Sequence, residues 1–311
     1  MITVIAGGVG AARFLSGLLQ VVPPSEVTAI VNVGDDVELH GLWISPDLDT
    51  VTYTLAEQVN ATTGWGLIDE SWRVMAMMGH YGLAPWFNLG DRDLGTHLYR
   101  TTRRLAGAPL STITAEIAAA WGLGCRIVPV SDDRVETRVT LAGGDEVGFQ
   151  EYFVKLGHDV PISGVRFAGI DEAGPAPGVL EAIERADVVV IAPSNPIVSI
   201  GPVLGVPGVR DAIEARRDTA VAVSPIIAGR ALKGPADRML RELGEEPTVV
   251  GIARRYRHLV GTLVIDEADA EQAGAVRAEG VRAVVTPTIM SRPGVGEALA
   301  RITLEAGGAR T

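Results

Sequence analysis

The sequence predicts an α/β protein whose parallel sheet is buried under helices on both faces. Short runs rich in Val and Ile recur along the chain, and segments with a helical repeat separate them. These runs are apolar at nearly every position, as is typical of parallel strands that are covered on both faces. In addition, a glycine-rich turn directly follows the first run, where doubly wound folds pass from strand to helix.

The first and last of three regions carry this pattern. Up to about residue 48 the chain reads strand (Ile2–Ile5), helix (from Ala11) and strand (Thr28–Val33), which is a βαβ opening. From about residue 166 the alternation returns. Its predicted helices are Val179–Arg185, one from Val209, and Pro235–Leu243; its predicted strands are Asp187–Ala192, Thr219–Ser224, Val249–Ile252, Thr262–Ile265 and Arg282–Thr286. Together they predict a Rossmann-like, three-layer parallel sheet that binds ligands beyond the carboxyl ends of its strands.

The middle region, about residues 50–165, is predicted as a mixed insertion within a single α/β domain of residues 1–311. Its predicted helices lie near Val51–Val59, Glu70–Tyr81, Thr96–Ala106 and Leu110–Trp121, and its predicted strands are Arg126–Val130, Val135–Leu141 and Val147–Phe153. We expect this insertion to cover an edge of the sheet and to form a lid or an acceptor pocket.

Composition argues against several classes of protein. The net charge of −11 disfavours a general nucleic-acid binder, and the single cysteine, Cys125, leaves no disulfide framework. The longest uncharged stretch, Val188–Val209, holds four prolines that would break a membrane helix, and no basic leader precedes the first strand. We therefore expect a cytoplasmic protein without a membrane or nucleic-acid partner.

The glycine turn, Gly7-Gly8-Val9-Gly10-Ala11-Ala12-Arg13, predicts a phosphate site. Gly8 and Gly10 let the backbone approach a ligand, the following helix points its free N–H groups at an anion, and Arg13 adds a charge. The turn is neither a Walker loop nor a complete dinucleotide fingerprint, because Arg13 stands where the third glycine belongs. A tight turn without a ligand is the alternative.

Four carboxylates lie within 15 residues, Asp35 and Asp36 after the second strand and Asp47 and Asp49 a short loop later. Carboxylates are costly to bring together unless a cation neutralises them, and Mg²⁺ is the oxygen-seeking ion that they typically share with substrate phosphates. Asp49 is also a candidate acceptor for the proton of an attacking hydroxyl. As the alternative, Asp35 forms a turn and Asp47 or Asp49 caps a helix.

Further polar clusters lie near the predicted site. The segment from Asn88 to His97 reads as a clamp on an acceptor or a phosphate through Arg92, or else as a helix cap with a surface ion pair. Loops after two later strands offer Ser194, Asn195 and Ser199, and then a segment from Ser224 that ends in Lys233, one of only two lysines. Five aromatic residues form either a flat apolar pocket for an aromatic ligand or core: Trp43, Trp65, Trp72, Trp86 and Phe87.

These motifs, in this order, resemble the 2-phospho-L-lactate transferases of deazaflavin (coenzyme F-420) biosynthesis. The matching segments are Gly7–Arg13, Asn32-Val33-Gly34-Asp35-Asp36, Pro46-Asp47-Leu48-Asp49-Thr50, Gly90-Asp91-Arg92-Asp93-Leu94, Ala192-Pro193-Ser194-Asn195-Pro196 and Ser224–Gly229. The resemblance covers essentially the whole chain. It implies Mg²⁺-dependent transfer of a phospho-three-carbon-acid group from a guanosine diphospho-linked donor to the ribityl hydroxyl of the deazaflavin Fo, with release of GMP, by a homodimer.

The resemblance also assigns roles to residues. Asp49 and Arg92 resemble the deazaflavin-binding positions of the family, and Asp35 and Asp36 resemble its metal-side acids. Beside these, we expect Asn88 and His97 to contact the deazaflavin and Asp49 to act as a third catalytic acid and metal ligand. The guanosine nucleotide falls on two segments, 194–201 and 225–233, which hold Ser194, Asn195, Ser199, Gly201, Pro225, Gly229 and Lys233. The acid is phospholactate, phosphoenolpyruvate or phosphoglycerate, and the form of the glycine turn favours phosphoenolpyruvate.

Two other functions remain open at this point. A nucleotide-sugar-binding regulator, as in the gluconeogenesis-factor proteins that resemble this fold, would bind a nucleotide without turnover; the acceptor-like cluster at Asn88–His97 argues against it. A nicotinamide-dependent oxidoreductase would use Asp35 to bind ribose hydroxyls. Arg13 in place of the third glycine, and the carboxylate cluster, argue against that enzyme.

Overall fold

The computed structural model describes residues 1–60, 64–83 and 86–309. The strands are β1 (Ile2–Ala6), β2 (Val27–Val31), β3 (Val37–Leu39), β4 (Leu42–Ile44), β5 (Arg126–Pro129), β6 (Glu136–Leu141), β7 (Glu146–Gly148), β8 (Ile162–Ala168), β9 (Val188–Ile191), β10 (Ala220–Val223), β11 (Ile226–Ile227), β12 (Arg230–Ala231), β13 (Thr262–Ile265) and β14 (Arg282–Val285). The helices are α1 (Gly8–Leu18), α2 (Pro46–Leu55), α3 (Arg73–His80), α4 (Asp93–Leu105), α5 (Leu110–Ala120), α6 (Val179–Glu184), α7 (Ile200–Gly205), α8 (Val209–Glu214), α9 (Ala236–Glu242), α10 (Val249–Tyr256), α11 (Ala273–Ala278) and α12 (Val295–Ala306).

A seven-stranded parallel sheet forms the centre of the molecule and confirms the predicted α/β class. Its order is β14-β13-β10-β9-β1-β2-β5, with helices packed against it and against one another. The central strands β1, β9 and β10 are fully buried, as their continuous apolar sequences predict. The strand order reverses between β1 and β9, and this switch point is where an open α/β sheet leaves a crevice for ligands.

The middle region does more than cover the sheet. Residues 126–129, within the predicted insertion, form β5, which pairs in parallel with β2 as the edge strand. Strands β6, β7 and β8 form a separate antiparallel sheet, and β3 and β4 form a hairpin. The hairpin turns at His40 and Gly41, both with positive φ, as a two-residue hairpin turn that follows the twist of its strands requires.

Two predicted strands are wrong. Val249–Ile252 belongs to helix α10, whose N-cap Thr248 accepts a hydrogen bond from Gly251 N on its side chain. The buried residues Val249, Ile252, Ala253 and Tyr256 recur at helical spacing, which the short apolar run concealed. The predicted strand Val147–Phe153 ends at Gly148, and residues Glu151–Lys155 form a π-helical turn instead.

Helix α2 also begins earlier than the predicted helix near Val51. Pro46 occupies its first turn, where a proline costs no hydrogen bond, so Asp47 and Asp49 lie in that turn instead of in a loop before the helix. Among the described residues, no helix is both long and apolar enough to cross a lipid bilayer.

Candidate functional site

A cavity of about 650 Å³ runs along the carboxyl edge of the sheet. Residues that follow β1, β2, β9, β10 and β14 line it, together with residues of α2, α4 and the π-helical turn. Five strand spacings separate β2 from β14, which corresponds to about 24 Å. The cavity is therefore long enough to hold two ligands end to end.

The glycine turn packs closely against the loop that follows β9. A Cβ atom at Gly10 would lie 2.0 Å from the carbonyl oxygen of Pro193, and one at Gly7 would lie 2.7 Å from Ser199 Cβ. Gly8 has a φ of 70°, in the left-handed region that favours glycine. All three glycines line the cavity, so this contact brings the α1 N-terminus and the β9 loop to one place.

Two cations, Arg13 and Lys233, line the cavity on exposed side chains. In the part of the chain that the structure describes, neither makes an ion pair or a side-chain hydrogen bond. The Lys233 Nζ lies 2.8 Å from the position that a Cβ atom would take at Gly64, which also lines the cavity. Among the described residues, then, nothing neutralises these two charges, which suits an anionic ligand.

In the loop after β9, Ser194 and Asn195 have different surroundings. Ser194 Oγ is buried at the cavity without a hydrogen-bond partner among the described residues, which favours a ligand contact. The side-chain oxygen of Asn195 instead accepts from Ile197 N at 2.9 Å and from Val198 N at 3.4 Å, so it shapes the loop. Ser199 is buried beside the glycine turn.

Asp35 and Asp47 form an acidic wall of the cavity, and Asp47 lies against the glycine turn, with its Oδ2 3.0 Å from the position that a Cβ atom would take at Gly7. Asn32, fully buried, donates to Asp47 Oδ2 at 2.9 Å, and its own oxygen accepts from Gly34 N at 2.8 Å. Burial, and then repulsion by Asp47 and Asp36, raise the pKa of Asp35 well above its ordinary value. Burial raises the pKa of Asp47 to about 6. Asp35 Oδ1 is buried with no partner among the described residues.

Asp36 lies behind this wall, outside the residues that line the cavity. Its Oδ2 accepts hydrogen bonds from Ser45 Oγ at 2.7 Å and Trp43 Nε1 at 3.1 Å. Burial raises its pKa to about 7 in spite of these donors. Asp36 thus holds the β3–β4 hairpin and the start of α2 in place.

Asp49 is bound on both oxygens by the buried guanidinium of Arg100. Arg100 Nη1 donates to Asp49 Oδ2 at 3.2 Å, and Arg100 Nη2 makes a shorter bond to Oδ1. The guanidinium is 2% exposed and the carboxylate 8%. The pair fixes the orientation of Asp49 at the cavity wall, since a bidentate arginine defines the plane of its carboxylate.

His97 connects this pair to Asp93. Its Nδ1 lies 3.3 Å from Arg100 Nη1, and because arginine only donates, Nδ1 is the acceptor and Nε2 carries the proton. Nε2 lies 3.2 Å from Asp93 Oδ2, whose other oxygen accepts from Tyr53 Oη at 2.6 Å. Burial opposes the charge of Asp93, but His97, Tyr53 and Arg100 outweigh it and lower its pKa.

The acids differ in how well they suit a magnesium ion. Asp35 offers a buried, unpartnered oxygen at the cavity, with Asp47 close enough to repel it, so a cation there would relieve both burial and repulsion. Asp49, Asp93 and His97 also present ligand atoms within 4.8 Å of one another. There, however, Arg100 already supplies a positive charge at contact with Asp49 and His97. The fit is therefore best at Asp35 and Asp47.

The structure brings most of the predicted residues to this cavity and leaves others outside it. Lining residues include Gly8, Gly10, Arg13, Asp35, Asp49, Asn88, His97, Ser194, Asn195, Ser199, Pro225 and Lys233. Arg92 is exposed, and its Nη1 donates to Ile68 O at 2.5 Å. Gly201 packs against Phe167 and Gly229 forms a turn, both away from the lining. Of the predicted aromatic pocket, Trp65 and Phe87 line the cavity.

Several lining or supporting residues escaped the sequence analysis. They are Arg100, Phe149, Gln150, Phe153, Thr288, Met290 and Ser291. Arg100 left a signal, because Asp93, His97 and Arg100 recur at helical spacing on one face of α4. Phe149, Gln150 and Phe153 lie in the segment predicted wrongly as a strand, and Thr288, Met290 and Ser291 follow the last strand of the sheet.

Comparison with known proteins agrees with the motifs. Residues 2–290 match the model of the family "2-phospho-L-lactate transferase CofD". A phosphoenolpyruvate transferase from Streptomyces griseus is 45% identical over 309 residues, 98% of this chain and 97% of the relative. One from Mycolicibacterium smegmatis is 40% identical over 322 residues, 99% and 98% of the two chains.

Solved structures agree with the fold. Protein BH3568 from Bacillus halodurans, also described as a member of the UPF0052 family, superposes with a TM-score of 0.65 at 20% identity, covering 97% of this chain and 98% of the other. At this identity the similarity extends to the architecture alone.

Proposed function

The chain belongs to the 2-phospho-L-lactate transferase CofD family, a family of transferases, and from this premise we propose a specific reaction. The protein moves a phosphoenolpyruvyl group from a guanosine diphospho-linked donor to the ribityl hydroxyl of the deazaflavin Fo and releases GMP. One observation carries the proposal: a single cavity joins unpartnered cations and a glycine turn to a wall of buried carboxylates. A phosphorylated donor and a hydroxyl-bearing acceptor require such a combination.

The donor phosphates bind at the switch point. The glycine turn and the α1 N-terminus lie beside them, with the Gly8 N–H already bonded to Asp47, while Ser194 Oγ donates to them and Arg13 and Lys233 neutralise them. Arg13 and Lys233 have no ion pair within the described part of the chain, so the anion supplies that partner. The protein contributes alignment and charge, which is most of what phosphoryl transfer asks of it.

Magnesium is part of the proposal: Asp35 and Asp47 would hold the ion, which would supply positive charge against the negative charge of the donor phosphates. Of the three predicted metal ligands, Asp35, Asp36 and Asp49, this assignment retains Asp35. Asp36 instead accepts hydrogen bonds from Trp43 and Ser45, and Asp49 pairs with Arg100.

The acceptor binds at the other end, beside Asp49. Its hydroxyl donates to Asp49, whose plane Arg100 fixes, and Asn88 adds a polar contact, while His97 lines the wall with its Nε2 directed at Asp93. Phe87, Phe149 and Phe153 supply apolar walls for its ring system. In the reaction the hydroxyl oxygen bonds to phosphorus, the bond from phosphorus to the GMP oxygen breaks, GMP takes the electron pair, and the hydroxyl proton is lost to Asp49 or to water.

The names of the relatives favour phosphoenolpyruvate as the acid. The Streptomyces griseus and Mycolicibacterium smegmatis proteins are both called phosphoenolpyruvate transferases. We extend that choice to this chain, in agreement with the form of its glycine turn.

Mass spectrometry of one reaction tests the proposal. The purified protein, Mg²⁺ and Fo are mixed with equal amounts of the guanosine diphospho-linked forms of phosphoenolpyruvate, phospholactate and phosphoglycerate. We expect a deazaflavin phosphodiester with the mass of the enolpyruvyl product, together with GMP, and none after EDTA. A product of a different mass would identify another of the three acids as the transferred one. Bound nucleotide without product would favour the regulatory nucleotide-binding protein. Sedimentation of the same sample measures whether the expected homodimer forms.

A further inference from the structure

The segment that follows β14 closes the end of the cavity farthest from the carboxylates. Thr288, Met290 and Ser291 line this end, and Pro225, which precedes β11, and Ile227 of β11 line the adjacent wall. Four strand spacings, about 19 Å, separate β14 from β1 and its glycine turn. A nucleotide whose phosphates lie at the turn therefore has room to extend its ring toward Thr288.

The neighbouring side chains suit a flat ring. Pro225, Ile227 and Met290 are half-buried and apolar, and the methionine thioether adapts to the face of an aromatic system. Thr288, by contrast, is polar and only 5% exposed. The hydrogen bonds that the Thr288 hydroxyl can still make determine which edge of a purine ring can bind at this end.

Asp266 fixes the direction of the Thr288 hydroxyl. Thr288 N and Thr288 Oγ1 both donate to Asp266 Oδ2, at 2.8 and 2.9 Å, and Asp266 Oδ1 accepts from Ala268 N at 3.0 Å. A hydroxyl has a single proton, so Oγ1 retains only lone pairs for a ligand. The carboxylate behind it polarises the hydroxyl and makes it a better acceptor.

We propose that Thr288, held by Asp266, selects guanine over adenine in the donor nucleotide. Guanine presents N1–H and an exocyclic amino group side by side on one edge, and both donate to an acceptor, whereas adenine in the same ring position places its N1, an acceptor, there and has its 6-amino donor where guanine has an acceptor. Adenine N1 then faces Thr288 Oγ1 as a second acceptor, and an unpaired buried group is costly. The inference rests on the proposed function, because it concerns the nucleotide of that donor.

Equilibrium titration of the full-length protein with GDP, IDP and ADP, in the presence of Mg²⁺, tests this inference. For the wild type we expect GDP to bind at least about tenfold more tightly than ADP, with IDP, which keeps N1–H, between them. Thr288→Val removes the hydroxyl acceptor and keeps the shape of the side chain. It should weaken the binding of GDP about tenfold, while the affinity for ADP changes little. Thr288→Ser should keep the preference.

Thr286→Val is the matched control, since Thr286 is buried in the same segment but does not line the cavity. The inference is overturned if Thr288→Val weakens GDP and ADP equally, or if the wild type binds them equally. If Thr288→Val does not fold, the nucleotide affinities of the wild type and of Thr288→Ser test the inference. If the protein forms product but binds GDP and ADP equally, the guanine inference is wrong and the proposed function stands. If it binds GDP selectively but forms no product, the transferase proposal is wrong and the inference stands.

Discussion

The Asp49 end of the cavity and the end proposed to bind phosphate differ in whether their charged side chains already have partners. At the first, called the carboxylate end here and taken without the unpartnered Asp35, Asp49 is bound by Arg100 and His97 bridges toward Asp93. At the phosphate end, Arg13 and Lys233 have no charged partner within the described chain. The first end is therefore organised before substrate arrives, whereas the second is completed by the anion that it binds.

This difference follows from burial. A buried carboxylate without a counter-charge is strongly destabilising, so Asp49 requires Arg100 in the free protein. An exposed arginine or lysine is hydrated by water and costs little until a ligand displaces that water. Mutations at the carboxylate end should thus reduce stability, and mutations at the phosphate end should reduce binding.

Arg100→Met should give the largest effect. It leaves Asp49 buried without its partner, so we expect the free energy of unfolding to fall by about 3–5 kcal/mol. Urea denaturation measures it. Arg92→Met is the control: Arg92 is exposed, and we expect a change of about 0.5 kcal/mol or less. Equal stability of the two variants would mean that Asp49 does not depend on Arg100.

Arg92→Met also tests the resemblance at that position. The family pattern implies that Arg92 binds the deazaflavin, whereas its guanidinium lies outside the cavity and contacts Ile68 O. From the structure we expect Fo affinity to change less than about threefold in a spectroscopic titration. A larger loss would show that Arg92 turns into the cavity when Fo binds.

Gly10→Ala should have the next largest effect, because it should reduce both the stability of the protein and its affinity for GDP. The new Cβ would lie 2.0 Å from Pro193 O, so the turn must move away from the β9 loop. We expect a loss of about 1–3 kcal/mol in stability and a marked loss of GDP affinity by calorimetry. Gly95→Ala on α4, with no atom within 4 Å of the new Cβ, should leave both intact. Unchanged GDP binding in Gly10→Ala would separate the turn from the phosphates.

Lys233→Met should weaken GDP binding by about tenfold, an effect that high salt reduces, while stability stays unchanged. The chain offers an unusually close control in its only other lysine. Lys155 is exposed, pairs with Glu151 at 2.7 Å and does not line the cavity. If Lys155→Met reduced GDP affinity as much as Lys233→Met, the net charge of the protein, and not a defined contact of Lys233, would account for its effect on binding.

The smallest effect concerns pH. The pKa of Asp36 rises to about 7 and that of Asp47 to about 6 in the folded protein, so between about pH 4 and pH 7 the folded state holds protons that the unfolded state has lost. The free energy of unfolding should therefore decrease as pH rises across this range. Asp36→Asn should make the decrease shallower, as measured by urea denaturation at several pH values. Stability that rises over this range without metal would contradict the raised pKa values.

The fold and one half of the site follow from the sequence for a physical reason. Parallel strands end at one edge, so Asp35 after β2 and Ser194 after β9 had to lie near the glycine turn. Arg100 was missed because its partner, Asp49, lies on another helix, and only the packing of α2 and α4 joins them. Thr288 follows the last strand, and its role depends on a contact with Asp266 that spans 22 residues. Val249 was misassigned because a short apolar run fits both a strand and a buried helix.

The central claim is that one cavity holds the nucleotide and the deazaflavin at opposite ends at the same time. Calorimetric titration of Fo into the protein saturated with GDP and Mg²⁺ tests it directly. We predict one Fo bound per chain at an affinity no weaker than without GDP, with Lys233→Met affecting GDP alone. Displacement of GDP by Fo would contradict the claim, because it would place both ligands at the same end of the cavity.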